Sequence, residues 1–257
     1  MKRLQRFICL VLVLCLACPS WAAITQNAVS GGNSIFEESG DSTTLDFDLT
    51  IATGSNTNLY VCVGDVKGDQ STVTSVVWNT SESLTKIVEV DAVDIWGASL
   101  WRLKAPTTGT HTVTVTIPAA SRLAAIAVAL DGVDQTTSER TYSTASVSSF
   151  NANPITVTAA NSQNGDTVID CVGRRQLEDD TATVDSGQTE IAQERANGFN
   201  DVGALMSYEA ATGSNTVMSW TMSAASYSYG AIAVPLVPAG GGGGGPVTSG
   251  YLLRLRP

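Results

Sequence analysis

The chain has 257 residues, of which 24 are acidic and 14 are basic, giving a net charge of −10. Hydrophobic residues make up 43% of the sequence, which suits a globular protein with a sizeable core. The acidic balance argues against nucleic acid or an anionic membrane surface as a partner, because phosphate binding needs clustered Lys and Arg side chains.

Residues 1–23 have the three parts of a secretory signal peptide. A basic start is followed by an apolar core, residues 7–17, that is too short to span a bilayer, and then by a small-residue cleavage site. A lipid on Cys18 is a minor alternative, since Cys15 stands where a lipoprotein signal has Leu. Without its leader the chain has a net charge of about −13 and no membrane span. We expect a secreted protein, outside the cell, on its surface or in the periplasm.

The region from about residue 43 to 135 predicts β-strands. Apolar and polar residues alternate in segments 45–51 and 113–117, the pattern of strands with one buried face. The closing run, residues 124–130, is apolar throughout, as expected of a central strand covered on both faces. Thr, Val, Ser and Ala dominate, whereas Glu, Lys and Leu are scarce, so almost no helix is expected.

The region from about residue 153 to 238 repeats this order of motifs. The apolar run around Cys62 recurs around Cys171, about a hundred residues later, and the closing run recurs at residues 231–237. The repeat predicts an all-β fold, an antiparallel, jelly-roll-like β-sandwich built from two duplicated halves within residues 24–239. The halves either form tandem sandwiches or share one core; we favour the shared core.

The two halves are joined by a Ser- and Thr-rich segment, residues 136–152. Its length would let the chain cross from one sheet to another, and Val147 and Phe150 indicate that it packs against the fold. After residue 239 come six glycines and Pro246, so residues 240–246 are predicted to form a flexible linker. Residues 247–257 form a short tail, either a docking peptide or a remnant.

Cys62 and Cys171 are the two cysteines that remain after signal removal. Export to an oxidising compartment permits a disulfide between them. Two buried free thiols fit the apolar surroundings equally well, because Cys packs like a small apolar residue. A zinc site is not expected from two Cys and the single His111, whose counterpart in the second half is Asn215.

Aromatic residues near strand ends are candidates for a carbohydrate-binding platform, because sugar rings stack on exposed aromatic faces. The alternative for each of them is core packing. The four candidates are Trp78, Trp96, Tyr227 and Tyr229.

A carboxylate motif at residues 89–94 raises the possibility of an enzyme. Glu89, Asp91 and Asp94 resemble the Glu-x-Asp-x-x-Glu strand of laminarinase-type glycoside hydrolases, in which the first Glu is the nucleophile and the last Glu is the acid/base. Here the last position is Asp, whose side chain is one methylene shorter. The alternative is a solvent-facing strand edge, and no Gly-x-Ser-x-Gly elbow indicates a serine hydrolase.

Two loop clusters of carboxylates have oxygen ligands suited to calcium, although neither forms a twelve-residue EF-hand loop. Solvated turns are the alternative, and no other cofactor is expected. The clusters contain Asp65 and Asp69 in the first half, and Glu178, Asp179 and Asp180 in the second.

A likeness to a known domain is carried by five segments, residues 73–78, 84–86, 100–103, 109–115 and 132–135. They resemble a secreted bacterial and metagenomic domain of unknown function that is similar to concanavalin-like and laminin-G-like jelly rolls. The resemblance implies a fold and a binding or surface role, but no catalytic residue.

These features predict a secreted, non-catalytic β-sandwich that acts as a surface, adhesion or carbohydrate-binding module or as an extracellular structural protein. Its expected partners are a glycan, a cell-surface component or further copies of itself. The alternative is a laminarinase-type glycoside hydrolase that uses Glu89 and Asp94.

Overall fold

The computed structural model describes residues 23–33, 42–66, 72–91, 96–148, 153–176, 180–196, 201–223 and 228–240. Seventeen β-strands and no helix lie in these ranges, and the paired strands run antiparallel. The predicted all-β sandwich is therefore confirmed.

The first half of the chain forms two sheets. The central sheet has the strand order β1-β9-β3-β7-β6, and the outer sheet has the order β2-β8-β4-β5. The strands are β1 (Thr25–Asn33), β2 (Ser42–Ile51), β3 (Asn58–Val66), β4 (Ser75–Trp78), β5 (Glu82–Ser83), β6 (Thr85–Asp91), β7 (Trp96–Lys104), β8 (Gly109–Ser121) and β9 (Leu123–Asp131).

The second half forms a second pair of sheets. Its strands are β10 (Ser143–Val147), β11 (Ile155–Ala160), β12 (Thr167–Gln176), β13 (Ala182–Val184), β14 (Thr189–Arg195), β15 (Asp201–Ala210), β16 (Asn215–Met222) and β17 (Tyr229–Leu236). The central sheet has the order β10-β17-β12-β15-β14, and the outer sheet has the order β11-β16-β13. Apart from the short β5, this order matches that of the first half strand for strand.

The four sheets stack as four layers with three hydrophobic cores between them. One core lies between the outer and central sheets of each half, and a third lies between the two central sheets. Strand β9 shows how one sequence serves two cores: Leu123 and Ala125 face the first-half core, whereas Ala124 and Ile126 face the core between the central sheets. The structure thus combines the two arrangements that the sequence left open, because each half is a sandwich and the halves also share a core.

The two central sheets approach each other most closely at glycines. A Cβ atom on Gly64 would lie 2.7 Å from the carbonyl oxygen of Gly203, and a Cβ on Gly173 would overlap the carbonyl oxygen of Gly97. The two contacts are equivalent. In the first half Gly97 pairs opposite Asp65, the residue after Gly64, and in the second half Gly203 pairs opposite Arg174, the residue after Gly173. The missing side chains let the two backbones touch where packed sheets usually stand about 10 Å apart.

The segment after β9 is fixed to the end of the chain's last strand. Residues 132–140 pair with residues 235–239 through a series of backbone hydrogen bonds. The Arg140 guanidinium donates two bonds to Asp166, at 2.6 and 3.0 Å, which holds the segment to the second half. The joiner therefore packs against the fold, as expected, although Phe150 lies outside the described residues.

Two strands begin earlier than the sequence indicated. Strand β1 extends the first half to Thr25, and β10 lies inside the predicted joiner, with Val147 paired to Tyr229. Both strands are short of apolar residues and give weak alternation. Each is an edge strand that takes its backbone hydrogen bonds from a strongly apolar neighbour, β9 or β17.

Replacing Gly173 by Ala tests the close contact between the central sheets. We expect the free energy of unfolding to fall by about 1–3 kcal/mol, because the new methyl group overlaps a backbone oxygen that cannot move away freely. Denaturant unfolding measures the change. The matched control is Gly213→Ala, where a Cβ meets nothing within 4 Å; equal stability of the two variants would show that the sheets are not in contact at Gly173.

Candidate functional site

The predicted carbohydrate platform does not form from Trp78 and Tyr229. The Trp78 side chain is 0% exposed, its Nε1 donates to the carbonyl oxygen of Thr107 at 3.0 Å, and its ring packs against the edge of His111. Tyr229 is 5% exposed and belongs to the second-half core. The surface role predicted for these two residues is wrong, because both side chains are buried in the cores of their own halves.

The other two aromatic candidates remain predictions. Trp96 begins β7, but its side chain lies outside the description, as does the whole of Tyr227. Sequence reasoning missed Tyr142, which is 45% exposed and is the one exposed aromatic side chain among the described residues. It lies between the pairing segment 132–140 and β10.

The carboxylates of the hydrolase-like motif lie on the edge strand β6. Glu89 forms an ion pair with Lys86 at 2.6 Å, and the same ammonium group lies 5.0 Å from the ring centroid of Trp101. Asp91 is the last residue of β6 and is exposed. Asp94 lies outside the described residues, so the structure does not place the predicted acid/base opposite Glu89.

Two of the predicted calcium ligands, one from each cluster, lie in the described residues. Asp65 is 1% exposed, and Asp180 forms an ion pair with Arg174, so both carboxylates lie inside the fold. Asp69, Glu178 and Asp179 lie outside the described ranges. Within those ranges, no group of three His, Cys, Asp or Glu side chains is arranged to hold a metal ion.

Cys62 and Cys171 form a disulfide across the contact between the two central sheets. Their Cα atoms are 5.4 Å apart, both residues are fully buried, and they belong to β3 and β12 respectively. Each cysteine precedes by two positions the close-contact glycine of its own strand, Gly64 or Gly173. Of the two alternatives left open by the sequence, the structure has the bridge.

A polar network closes one end of the core between the central sheets. The buried Tyr60 hydroxyl donates to Glu139 at 2.8 Å, and Glu139 also forms an ion pair with Arg102. Asn58 donates to the same hydroxyl at 3.2 Å and accepts from Gln135 at 2.9 Å. Burial, together with the negative charge of Glu139, raises the pKa of Tyr60 above its usual value, so the phenol stays protonated.

A second buried network lies within the second-half sandwich and centres on Asp170 of β12. Its carboxylate accepts hydrogen bonds from the Ser207 backbone N–H at 2.6 Å, the Ser207 hydroxyl at 2.9 Å and Trp220 Nε1 at 2.7 Å. The Ser207 hydroxyl also accepts from Gln188 at 2.8 Å. Asp170 and Ser207 are both 0% exposed, so neither has direct contact with solvent.

Burial has the largest effect on the pKa of Asp170. Loss of solvation raises its pKa to about 7, although the hydrogen bonds from Trp220 and Ser207 favour the charged form and partly oppose the shift. A carboxyl group with this pKa exchanges its proton near neutral pH, which is the range required of a general base.

A buried cation lies farther along the same strand. Arg174 is 0% exposed and forms an ion pair with Asp180, whose other oxygen accepts from the Ser223 hydroxyl at 2.9 Å. Burial lowers the pKa of Arg174 despite the opposing effect of Asp180. Sequence reasoning missed both Asp170 and Arg174. The signal that could have found them is a charged residue on each side of the apolar segment 171–173 in β12.

Comparisons of the chain with protein-family models, curated proteins and solved structures gave no match. The likeness to concanavalin-like and laminin-G-like jelly rolls therefore stays a prediction. In the described part of the chain, no helix is long and apolar enough to cross a membrane.

Removing the disulfide by the double substitution Cys62→Ala/Cys171→Ala should lower the free energy of unfolding by about 2–5 kcal/mol. The bridge closes a large loop, because its cysteines have a sequence separation of 109, and so restricts the unfolded chain. Denaturant unfolding under oxidising conditions measures the loss. The wild-type chain with its disulfide reduced is the control and should lose a similar amount; an unchanged midpoint in both would contradict a stabilising bridge.

The substitution Asp170→Asn should remove a pH dependence from stability. The pKa of Asp170 is about 7 in the folded chain and about 4 in the unfolded chain, so the native state binds the proton more tightly. Wild-type stability should therefore fall as pH rises from about 4 to 7, by up to about 4 kcal/mol. Unfolding at a series of pH values shows the slope.

The matched control for this pH series is Asp48→Asn, which changes an exposed carboxyl group on the outer face of β2. It should retain the wild-type slope, whereas the Asp170→Asn curve should be flatter. Parallel curves for wild type and Asp170→Asn would show that Asp170 titrates alike in the folded and unfolded chains.

Proposed function

We propose that this chain is an exported structural or surface protein without catalytic activity, built as a rigid double sandwich. The observation that carries the proposal is the Cys62–Cys171 disulfide buried between the central sheets. Such bridges form and persist in oxidising compartments, whereas cytosolic thiols are kept reduced. The predicted signal peptide, residues 1–23, would deliver the chain to such a compartment.

A duplication of one sandwich unit is part of this proposal. Both halves have the same strand order, and their glycine contacts are related as the contacts of a two-fold interface are, with Gly64 against Gly203 and Gly173 against Gly97. A chain that packs two copies of one unit face to face gains a buried core without needing a second subunit.

The outer faces favour a structural or surface role over sugar stacking. The face of β2 and β8 carries a hydrogen-bonded array, in which Thr50 contacts Thr110 at 2.8 Å and Thr112 donates to Asp48 at 2.7 Å. The large hydrophobic side chains that are exposed in the described ranges are Val29, Tyr142 and Val217. Two of the four aromatic candidates, Trp78 and Tyr229, are buried, which supports a cell-surface component or a second copy of the chain as the partner.

The two ends of the described fold emerge side by side. A Cβ on Gly132 would lie 3.6 Å from the Cα of Ile24, and the backbone N–H of Ala239 donates to the carbonyl oxygen of Gly132 at 2.6 Å. The predicted Gly-rich linker therefore starts beside the residue that follows the predicted cleavage site. Attachment through this linker would point the opposite end of the sandwich away from the attachment point.

Export and oxidation can be tested in one experiment. The full-length chain is expressed in a bacterial host, and its thiols are labelled with a maleimide under denaturing conditions, before and after reduction. The exported protein should begin near residue 24 and should label only after reduction. A chain lacking residues 1–23 is the control: it should stay in the cytosol with both thiols reactive.

Two outcomes would contradict the proposed function. The first is an exported chain whose Cys62 and Cys171 label without reductant, which would remove its main support. The second is release of sugar from a β-glucan by the wild-type protein but not by Glu89→Gln, which would establish the glycoside hydrolase alternative.

A further inference from the structure

The buried network around Asp170 brings a hydroxyl group, a carboxylate and a side-chain amide into contact. Gln188 ends the turn between β13 and β14, and its Nε2 lies 2.8 Å from the Ser207 hydroxyl oxygen. That oxygen is 2.9 Å from the Asp170 carboxylate. Gln188 is 9% exposed and the other two residues are 0% exposed, so the three groups meet inside the protein.

The orientation of the Gln188 amide is fixed by its neighbour. The backbone N–H of Ser219 donates to Gln188 Oε1 at 2.7 Å, which assigns the opposite side of the amide to Nε2. Ser219 also holds the turn that precedes Gln188, because the Asp185 N–H donates to the Ser219 carbonyl oxygen at 3.1 Å. The carboxamide is therefore polarised at its oxygen and placed beside the hydroxyl group.

We propose that Ser207 and Gln188 become joined by an intramolecular ester bond. The Ser207 oxygen attacks the Gln188 side-chain carbonyl carbon Cδ, and Asp170 accepts the hydroxyl proton. The bond between Cδ and Nε2 then breaks, and the nitrogen leaves as ammonia with the proton returned by Asp170. One hydroxyl and one primary amide give one ester and one ammonia, without oxidation or reduction.

Each neighbouring group has a defined part in this step. Asp170 is the base, and its pKa of about 7 suits proton transfer near neutral pH. The Ser219 N–H stabilises the negative charge that develops on Oε1. Burial excludes the water that would otherwise compete for the carbonyl carbon and hydrolyse the ester. Attack requires the carboxamide to tilt so that the face of Cδ, rather than Nε2, meets the hydroxyl oxygen while Oε1 keeps its bond from the Ser219 N–H.

The first half lacks this chemistry at the equivalent position. Asp170 of β12 and Ser207 of β15 are joined by hydrogen bonds, and the matching positions on β3 and β7 are the pair Val61 and Trp101. The ester would therefore occur once in the chain. The ester would join the turn between β13 and β14 directly to β15. This turn crosses from the second outer sheet to the edge of the central sheet, and a covalent link there fits a structural protein exposed to proteases.

Intact-mass measurement of the exported full-length protein, denatured and reduced, tests the proposal. The expected mass is about 17 Da below that of the leader-free sequence, the mass of one ammonia. Tandem mass spectrometry should then find one pair of linked peptides, containing Gln188 and Ser207, and mild alkali should separate them. A mass that equals the sequence would overturn the proposal, leaving a hydrogen-bonded network only.

Variants distinguish the ester from other losses of ammonia. Ser207→Ala should abolish the mass deficit, and Asp170→Asn should slow its appearance in newly made protein. Ser162→Ala is the matched control, because Ser162 is a buried serine of the same half that contacts Gly213 and Thr216 instead; it should keep the deficit. A deficit that persists in Ser207→Ala, or that maps to Asn164 before Gly165, would overturn the proposal. If Ser207→Ala fails to fold, the peptide map of the wild-type chain still decides.

Discussion

The rest of the structure depends on the close packing of the two central sheets. Where Gly64 and Gly173 face the opposing backbone, the sheets lack the side chains that would hold them apart, and the Cys62–Cys171 bridge crosses the same contact. This contact makes the inner faces of both halves a third core, so strands such as β9 and β17 are buried on both faces. It also encloses Asn58 and Tyr60, which form hydrogen bonds with Gln135 and Glu139 of the pairing segment 132–140.

The two halves share a topology but differ in their internal chemistry. The first-half core contains two tryptophans, Trp101 and Trp78, and Trp78 pairs opposite Val113. In the second half a single tryptophan, Trp220, lies on the other strand of the equivalent pair, opposite Val184. The space beside Trp220 holds Asp170 and Ser207 instead of apolar groups. Charged and reactive groups are thus concentrated in the second sandwich, where burial shifts their ionisation and excludes water.

The fold could be predicted from sequence wherever burial follows a regular period. Alternation in residues 45–51 and the uniform apolar runs of β9 and β17 identify strands and their exposure directly. The site could not be predicted in this way, because it depends on contacts between distant segments. Trp78 precedes a turn and looks accessible, yet Thr107 and His111 cover it. Asp170 has a raised pKa because it is buried. Its hydrogen-bond partners Ser207 and Trp220 lie far away in the sequence, so no local pattern links them to it.

The central claim is that the two sandwiches form one unit through the contact between their central sheets. Amide hydrogen exchange of the oxidised full-length protein, followed by mass spectrometry, tests it most directly. Strands β3 and β12 lie in different halves but on the same contact, so we expect their amides to exchange last and at a common rate, through global unfolding. Exchange of one strand with its own half, while the other stays protected, would show that the halves unfold separately and would contradict the claim.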